Sequence, residues 1–397
     1  MTEPFPRGIR YGPAEREAVL ALMDTGRLSE TSRGPATSAL EDAYADLVGT
    51  RHALSFNSGT ASLHAALHAL EVGPERGVAA APMTWISALT AIFHAGSYPV
   101  FCDVEPDSPN ISPGSAAAAA AECAAVLATH AWGIPARVDE LIRNCGLPLV
   151  EDCSHAHGAV HAGRPVGSWG TAGCFSLQES KAVSGGEGGV LTTSDRAIYE
   201  RALTLGHHPH RLETELTDPD LTALAGSGAS YKFRIPALAA VIAREQLRGL
   251  PARNANAEAN WRTLHEVITC SELPIQFPRI ASGSVRGWYG TPLIVTDTVQ
   301  NPAALFAECT ARGIPLRALY PDWLASPLLQ RPDLLARFWP HITSTGYRPP
   351  DSESFTAYQQ LRRQMLIVKI PDVPAPDYME QVGNALVAVL TRTTATV

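Results

Sequence analysis

Short apolar segments recur along the first half of this chain, each followed by glycine or polar residues and most separated from the next by a helix-length stretch. They run Gly77 to Ala81, Pro99 to Cys102, Ala125 to Thr129, Pro148 to Val150, Gly173 to Leu177 and Gly189 to Thr192. Parallel strands need long crossovers, usually helical, so this alternation predicts an α/β fold with a mainly parallel sheet covered by helices on both faces. Upstream, HALSF runs into Asn57-Ser58-Gly59-Thr60, and beyond it Leu63, Ala66, Leu67 and Leu70 recur at helical spacing. That pattern reads as strand, tight turn and helix. Amphipathic helices are expected at Ala14 to Met23 and Ala39 to Leu47, and the alanine run Ala116 to Ala121, behind Ser112 and Pro113, reads as a covering helix.

After Arg244 the character changes. A helix through Glu245 to Leu250 leads to Pro251, then a helix around Ala257 to Val267, the strand-like TPLIVTD, a helix Pro302 to Arg312, MLIVKI, and a helix Tyr378 to Leu390. We therefore expect a large domain over residues 1–245 and a smaller C-terminal α+β domain over residues 246–397. With 45% hydrophobic and 18% charged residues, the chain has ample apolar surface to bury. Its formal net charge of −8 argues against nucleic acid or an anionic membrane as a main partner. The seven cysteines are scattered with no C-x-x-C pair, the pattern of reduced thiols in a cytosolic protein. MTEPFPRGIRYGPAEREAV lacks the apolar core of a signal peptide, and no stretch is long enough to span a bilayer, so a cytoplasmic location is expected.

Ligands of parallel sheets gather at the carboxyl ends of the strands, so the residues that follow each apolar run carry the functional information. Three ends are chemically unusual. HALSF is followed by Ser58-Gly59-Thr60 at a helix start, which is either a plain N-cap or a phosphate seat made by free backbone N–H groups and the helix dipole. PLV is followed by Glu151, Asp152, His155 and His157; CFSL is followed by Lys181, with Ser176 and Glu187 near it. Metal ligation by Asp152, His155 and His157 is not expected, because no further His or Cys cluster completes a site, and DVEPD lacks the glycine of a calcium loop. Neither a P-loop, a complete G-x-G-x-x-G nor a G-x-S-x-G elbow is present.

A phosphate seat, a strand-end carboxylate and a lone lysine are together what pyridoxal 5'-phosphate requires. Its aldehyde condenses with a lysine amine, its pyridine nitrogen pairs with a carboxylate, and its phosphate needs N–H donors. Lys181 supplies the amine and Asp152 the negative charge. The glycines of GGEGG beyond Lys181 read as room for the backbone to pass close to the cofactor ring.

With these groups in place, the sequence resembles the DegT/DnrJ/StrS-type sugar aminotransferases, which are fold-type-I pyridoxal phosphate enzymes. The likeness runs through GRLSETSRGPATSALEDAYADLVG, ALSFNSGTASLHAAL, APMTWISALTAIFHAGSYPVFCDVEPD, LVEDCSHAHGAVHAGRPVGSWG, CFSLQESKAVSGGEGGVLTT and YKFRIPALAAVIAREQL. The resemblance implies that Lys181 is the Schiff-base lysine and Asp152 the partner of the pyridine nitrogen. It implies that Trp85 stacks on the cofactor ring, that Gly59, Thr60 and Ser176 hold the phosphate, and that His155 faces the phenolic oxygen. Where the family often has asparagine, this chain has Lys232, expected to reach the phosphate of the neighbouring subunit in a homodimer with shared active sites. Tyr320 falls near a substrate-side tyrosine, while His207 and His208 of GHHPHRL are either substrate contacts or loop residues. The activity implied is transfer of an amino group from L-glutamine or L-glutamate, through the pyridoxamine form, to a keto cyclitol or keto sugar. EDCSHAHGA and FSLQESKAVSGGEGG resemble the cyclitol branch of aminoglycoside pathways more than the nucleotide-sugar branch. A lysine-retaining dehydratase that makes an aromatic amine from an amino-shikimate-like ring, a nucleotide-sugar aminotransferase and a non-catalytic relative are the alternatives.

Overall fold

The structure, a computed structural model, describes residues 4–271, 273–296 and 301–394; Asp297, the last residue of TPLIVTD, and Met1 to Glu3 lie outside them. Seven strands form the main sheet: β1 (His52–Phe56), β2 (Gly77–Ala80), β3 (Pro99–Phe101), β4 (Cys123–Thr129), β5 (Leu149–Asp152), β6 (Ala172–Ser176) and β7 (Gly189–Thr193). Their spatial order is β1-β7-β6-β5-β4-β2-β3. Every pairing is parallel except those of β7, which runs against both β1 and β6. The expected strands are all present, and the sheet is mainly parallel because helix-length crossovers separate most of them. Apolar side chains cover both faces. Leu54, Leu63, Leu67, Leu89, Ile92 and Leu203 belong to one buried cluster, and Leu40, Tyr44, Phe175, Val190, Ala240 and Ala243 to another.

The helix Pro35–Val48 is tied to β1 by an ion pair. Glu41 is fully buried and accepts from the backbone N–H and Oγ of Ser55 at 2.9 and 2.8 Å. Arg211, from the helix Pro209–Glu215, donates to both oxygens of Glu41 at 3.0 and 2.9 Å. A buried carboxylate persists when a bidentate guanidinium and further donors satisfy its lone pairs. Arg211 therefore gives the unusual GHHPHRL segment a structural role. His208 caps the same helix by accepting from the N–H of His210 at 3.2 Å.

The second half differs from expectation at one place. The helix expected to begin at Glu245 starts at Ala237, directly after its N-cap Pro236, and ends at Arg248. Pro251 does not break the next helix. It sits in the first turn of one 20-residue helix, Leu250–Thr269, where its missing N–H has no intrahelical partner to lose. A second sheet has the order β8-β9-β11-β10, from β8 (Ile275–Gln276), β9 (Thr291–Val295), β10 (Leu316–Arg317) and β11 (Met365–Val368). Side chains alternate along these strands. Leu293, Val295, Leu316, Leu366 and Val368 pack with Leu264 and Leu386 of the helices Leu250–Thr269 and Pro376–Thr394. Ile294, Met365 and Ile367 on the opposite face join a cluster with Trp132, Val126 and Leu149 of the main sheet. The second sheet thus packs against β4, β5 and the Trp132 turn that follows β4.

Candidate active site

Two adjacent acids end β5, and strand alternation sends them to opposite sides. Glu151 is fully buried and saturated: its oxygens accept from the N–H groups of Gly167, Trp169 and Gly170 at 2.8 to 2.9 Å and pair with His130 Nε2 at 3.1 Å. His130 Nδ1 accepts from the N–H of Ala136 at 2.9 Å, so Nε2 carries the proton and donates. His130, Glu151 and Cys153 lie close enough to suggest a metal, but these bonds already satisfy the carboxylate and both ring nitrogens. The cluster is a structural hub beneath Asp152. His157 is buried between the rings of Tyr44 and Phe175.

Asp152 itself lines a cavity of about 420 Å³, bounded also by Gly59, Thr60, Trp85, His155, Ser176, Lys181, Tyr289 and Tyr320. Eight of the candidate site residues read from the sequence, Tyr320 among them, therefore meet in one place. The cavity sits at the carboxyl ends of β1, β5 and β6. Asp152 Oδ1 accepts from the N–H of Ser154 at 3.1 Å, which fixes the carboxylate over the turn after β5. Lys181 Nζ lies 4.1 Å from the ring centroid of Tyr289. Burial lowers its pKa below the ordinary lysine value, against the opposing pull of Tyr289 and Asp152.

At the opposite end, Ser58 caps the helix Gly59–Ala69 by accepting from the N–H of Ala61 at 3.0 Å. A Cβ on Gly59 would lie 2.7 Å from Ser176 Cβ, so only glycine lets the helix start close against the end of β6. Gly189 meets the same turn, with its Cβ position 2.2 Å from the carbonyl oxygen of Ser58. GGEGG accordingly makes room for protein backbone rather than for a cofactor ring, and of its five residues only Glu187 lines the cavity.

His155 is held from three directions. Its Nδ1 accepts from the backbone N–H of Trp132 at 3.2 Å, leaving Nε2–H to donate to the Tyr320 hydroxyl at 2.9 Å. Its ring stacks on Tyr289 at 4.0 Å and 5°. Burial, followed by the charge of Lys181, pushes its pKa well below the ordinary histidine value, which keeps it neutral. Trp132 reaches this position through a left-handed backbone, φ +49°, a strained state for a bulky residue that the surrounding packing must hold. Its indole stacks on Tyr320 at 5.3 Å and 22°. Trp85 flanks Tyr320 at 5.3 Å and is 48% exposed at the mouth.

Lys232 is exposed, has φ +57°, and does not line the cavity of its own chain. His207 and His208 do not line it either; His207 is buried edge-on to Phe56 at 5.3 Å. Sequence reasoning missed Trp132, Tyr289 and Arg317, whose guanidinium lies 4.0 Å from the Tyr289 ring centroid. WYG and LRALY contain no motif that would single them out.

These residues fit pyridoxal phosphate: a buried amine of lowered pKa and a strand-end carboxylate share one cavity with a helix N-terminus pressed against a serine. Sheet order and site together define a fold-type-I pyridoxal phosphate enzyme. Residues 11–336 match the family model described as the DegT/DnrJ/EryC1/StrS aminotransferase family. The chain belongs to that family and is a pyridoxal-phosphate-dependent aminotransferase. Among solved structures it is similar to an aminotransferase from Psychrobacter cryohalolentis, at 24% identity and TM-score 0.81, over 98% of this chain and 100% of that one. It is similar to DesV of S. venezuelae at 25% identity and TM-score 0.77, over 94% and 93% of the two chains. Its fold also matches 3-amino-5-hydroxybenzoic acid synthase, at 22% identity and TM-score 0.82, over 98% and 99%.

Proposed function

We propose that the enzyme moves an amino group from L-glutamine or L-glutamate to a neutral polyhydroxylated ring ketone, a keto cyclitol in preference to a nucleotide-linked keto sugar. The observation that carries this reading is the charge of the cavity lining. Among the described residues Lys181 is its only cation, facing Asp152 and Glu187, while Ser87, Gln178 and Ser180 offer hydroxyl and amide groups. A ring of hydroxyls finds hydrogen-bond partners there; a diphosphate finds no arginine among the described residues of that lining, the guanidinium of Arg317 lying behind the ring of Tyr289.

Lys181 Nζ would hold the cofactor and then serve as the proton carrier of both half-reactions, taking a proton from the α-carbon of the donor in the first and delivering one to the former carbonyl carbon of the acceptor in the second, the cofactor taking up and giving back that proton in between. The bound cofactor supplies an electron sink for the carbanion formed at that carbon. Asp152 keeps the pyridine nitrogen protonated, and Gly59, Thr60 and Ser176 hold the phosphate. Trp85 supplies an aromatic face, and His155, kept neutral and aimed by Trp132 and Tyr320, stands beside the phenolic oxygen. Lys232 completes the phosphate site of a second copy of the chain.

In the test, the protein with bound pyridoxal phosphate is given L-glutamine or L-glutamate, and loss of its visible absorbance is followed. A panel of keto cyclitols and nucleotide-linked keto sugars is then offered to the pyridoxamine form. Recovery of absorbance with the cyclitols supports the reading. Recovery only with nucleotide sugars overturns the acceptor class, and failure of both amino acids overturns the donor. Release of an aromatic amine from an amino-shikimate analogue would install the dehydratase reading instead.

A further inference from the structure

The segment that carries Lys181 is braced from outside the cavity by two guanidiniums from distant parts of the chain. Arg10 Nη2 donates to the carbonyl oxygen of Glu179 at 2.8 Å and to that of Lys181 itself. Arg253, in the first turn of the helix Leu250–Thr269, donates to the carbonyl oxygen of Ala182 at 2.9 Å. Among the described residues no backbone N–H reaches these three carbonyls, so the arginines are what satisfies them. The Tyr11 hydroxyl adds a contact to Ser184 Oγ at 3.0 Å.

The two arginines belong to one frame. Gln246 Nε2 donates to the Arg10 carbonyl oxygen at 2.8 Å and to the buried Glu15, while the Gln246 carbonyl oxygen accepts from Arg253 at 2.6 Å. Burial lowers the pKa of Arg253; Asp372 and Glu15 oppose that shift and the charge of Arg10 adds to it. Two like charges thus converge on one short segment although they repel each other. The segment has little stiffness of its own, because Gly186 and Gly188 follow with φ +84° and +151°. Within it the Lys181 N–H donates to the Gln178 carbonyl oxygen at 2.9 Å. With its N–H and its C=O both held, the Lys181 backbone has one orientation, and that orientation sends the side chain into the cavity, where Nζ meets the ring of Tyr289.

We propose that Arg10, with Arg253, is a positioning residue for the Lys181 amine, fixing the lysine backbone so that the amine stands where the cofactor aldehyde can reach it. This deepens the role proposed for Lys181 and rests on it. Neither guanidinium lines the cavity, so each acts through the lysine and not on the cofactor. Pyridoxal phosphate joins the amine through a new C–N bond, with loss of water, and therefore gains from an amine held in place. Pyridoxamine phosphate carries its own amine and forms no bond to Lys181. The ratio of the two affinities thus reads the placement of the lysine, whereas a general loss of structure lowers both alike.

The full chain, freed of cofactor, is titrated by calorimetry with each of the two forms. Loss of a charge-assisted bond to the lysine carbonyl implies a fall of about 10-fold in the ratio of pyridoxal phosphate to pyridoxamine phosphate affinity for Arg10→Met. Arg10→Lys keeps a cationic donor and should recover part of that fall. An unchanged ratio in Arg10→Met, or no recovery in Arg10→Lys, overturns the proposal. Should Arg10→Met fail to fold, Arg253→Met takes its place with a fall of the same kind, and an unchanged ratio there is equally fatal. Lys181→Met distinguishes the clamp from the assignment beneath it. That variant should lose the preference for pyridoxal phosphate outright; if its ratio equals that of the unaltered protein, it is the reading of Lys181 that has failed.

Discussion

Lys181 shows how burial changes a side chain's chemistry. Its amine loses solvation in the cavity, so its pKa falls below the ordinary lysine value and more of it is neutral, the form that attacks an aldehyde. The same shift has a stability signature. A lysine with a lowered folded pKa binds its proton less well in the native chain than in the unfolded one. Stability is then highest above the ordinary lysine pKa and falls as pH drops toward the lowered value. In cofactor-free protein, Lys181→Met should therefore raise the melting temperature at pH 7, with the gain shrinking as pH approaches 10. Thermal melts across that range check it, and a constant difference would contradict the burial argument. With pyridoxal phosphate added, the variant should also show no visible absorbance from a lysine-bound cofactor. Trp132 illustrates the converse: its strained backbone aims one N–H at His155, which selects the tautomer that faces Tyr320.

Two elements meet at the phosphate end of the cavity, the helix Gly59–Ala69 and the end of β6, and glycine sets the distance between them. Gly59→Ala would place a methyl 2.7 Å from Ser176 Cβ and push the helix start away. The N–H groups and the serine hydroxyl would no longer converge, so we expect pyridoxal phosphate to bind about 10-fold or more weakly while the overall fold persists. Equilibrium dialysis of cofactor against the variant measures this, and unchanged affinity would remove the helix start from the phosphate site. A second element-level device is the junction of β1 with the helices Pro35–Val48 and Pro209–Glu215 through Glu41 and Arg211. Removing one partner leaves a buried charge with too few bonds. Arg211→Met should cost about 3 kcal/mol or more, lowering the denaturation midpoint without changing which residues line the cavity. Arg33, which also contacts Glu41 at 2.9 Å but is partly exposed, offers only part of the lost compensation.

Across the whole molecule, several imidazoles are buried in the neutral state. His155 and His207 are pushed well below the ordinary value by burial, His157 to about 3 and His64 to about 4. Each takes up a proton in the unfolded chain below about pH 6.5 but not in the native one. Stability must therefore fall on acidification, each such histidine contributing roughly 1.4 kcal/mol per pH unit once the pH is well under 6.5 and above its folded pKa. We expect the melting temperature to drop steeply between pH 6.5 and 5. His157→Phe isolates one contribution, because His157 packs between Tyr44 and Phe175 and both its ring nitrogens are buried without a hydrogen-bond partner. The variant should be more stable than the parent and less sensitive to acid. A steeper acid loss in the variant would refute the assignment of a neutral buried ring.

The sequence alone determined the alternation of strands and helices, the sheet that this alternation builds, and the strand ends on which Asp152, Ser176, Gly59 and Lys181 stand. Periodicity and chain direction are local properties, and in a parallel sheet they bring the carboxyl ends of strands to one edge. Only the tertiary structure decided that Tyr289 joins the cavity with Arg317 against its ring, that His155 is neutral with a defined tautomer, and that GGEGG accommodates backbone. Those facts depend on how the second sheet packs against the first, on contacts between residues more than a hundred positions apart such as His155 and Tyr320. No local pattern encodes which face meets which, because that choice is made by burial of Ile294, Met365 and Ile367 against the main sheet.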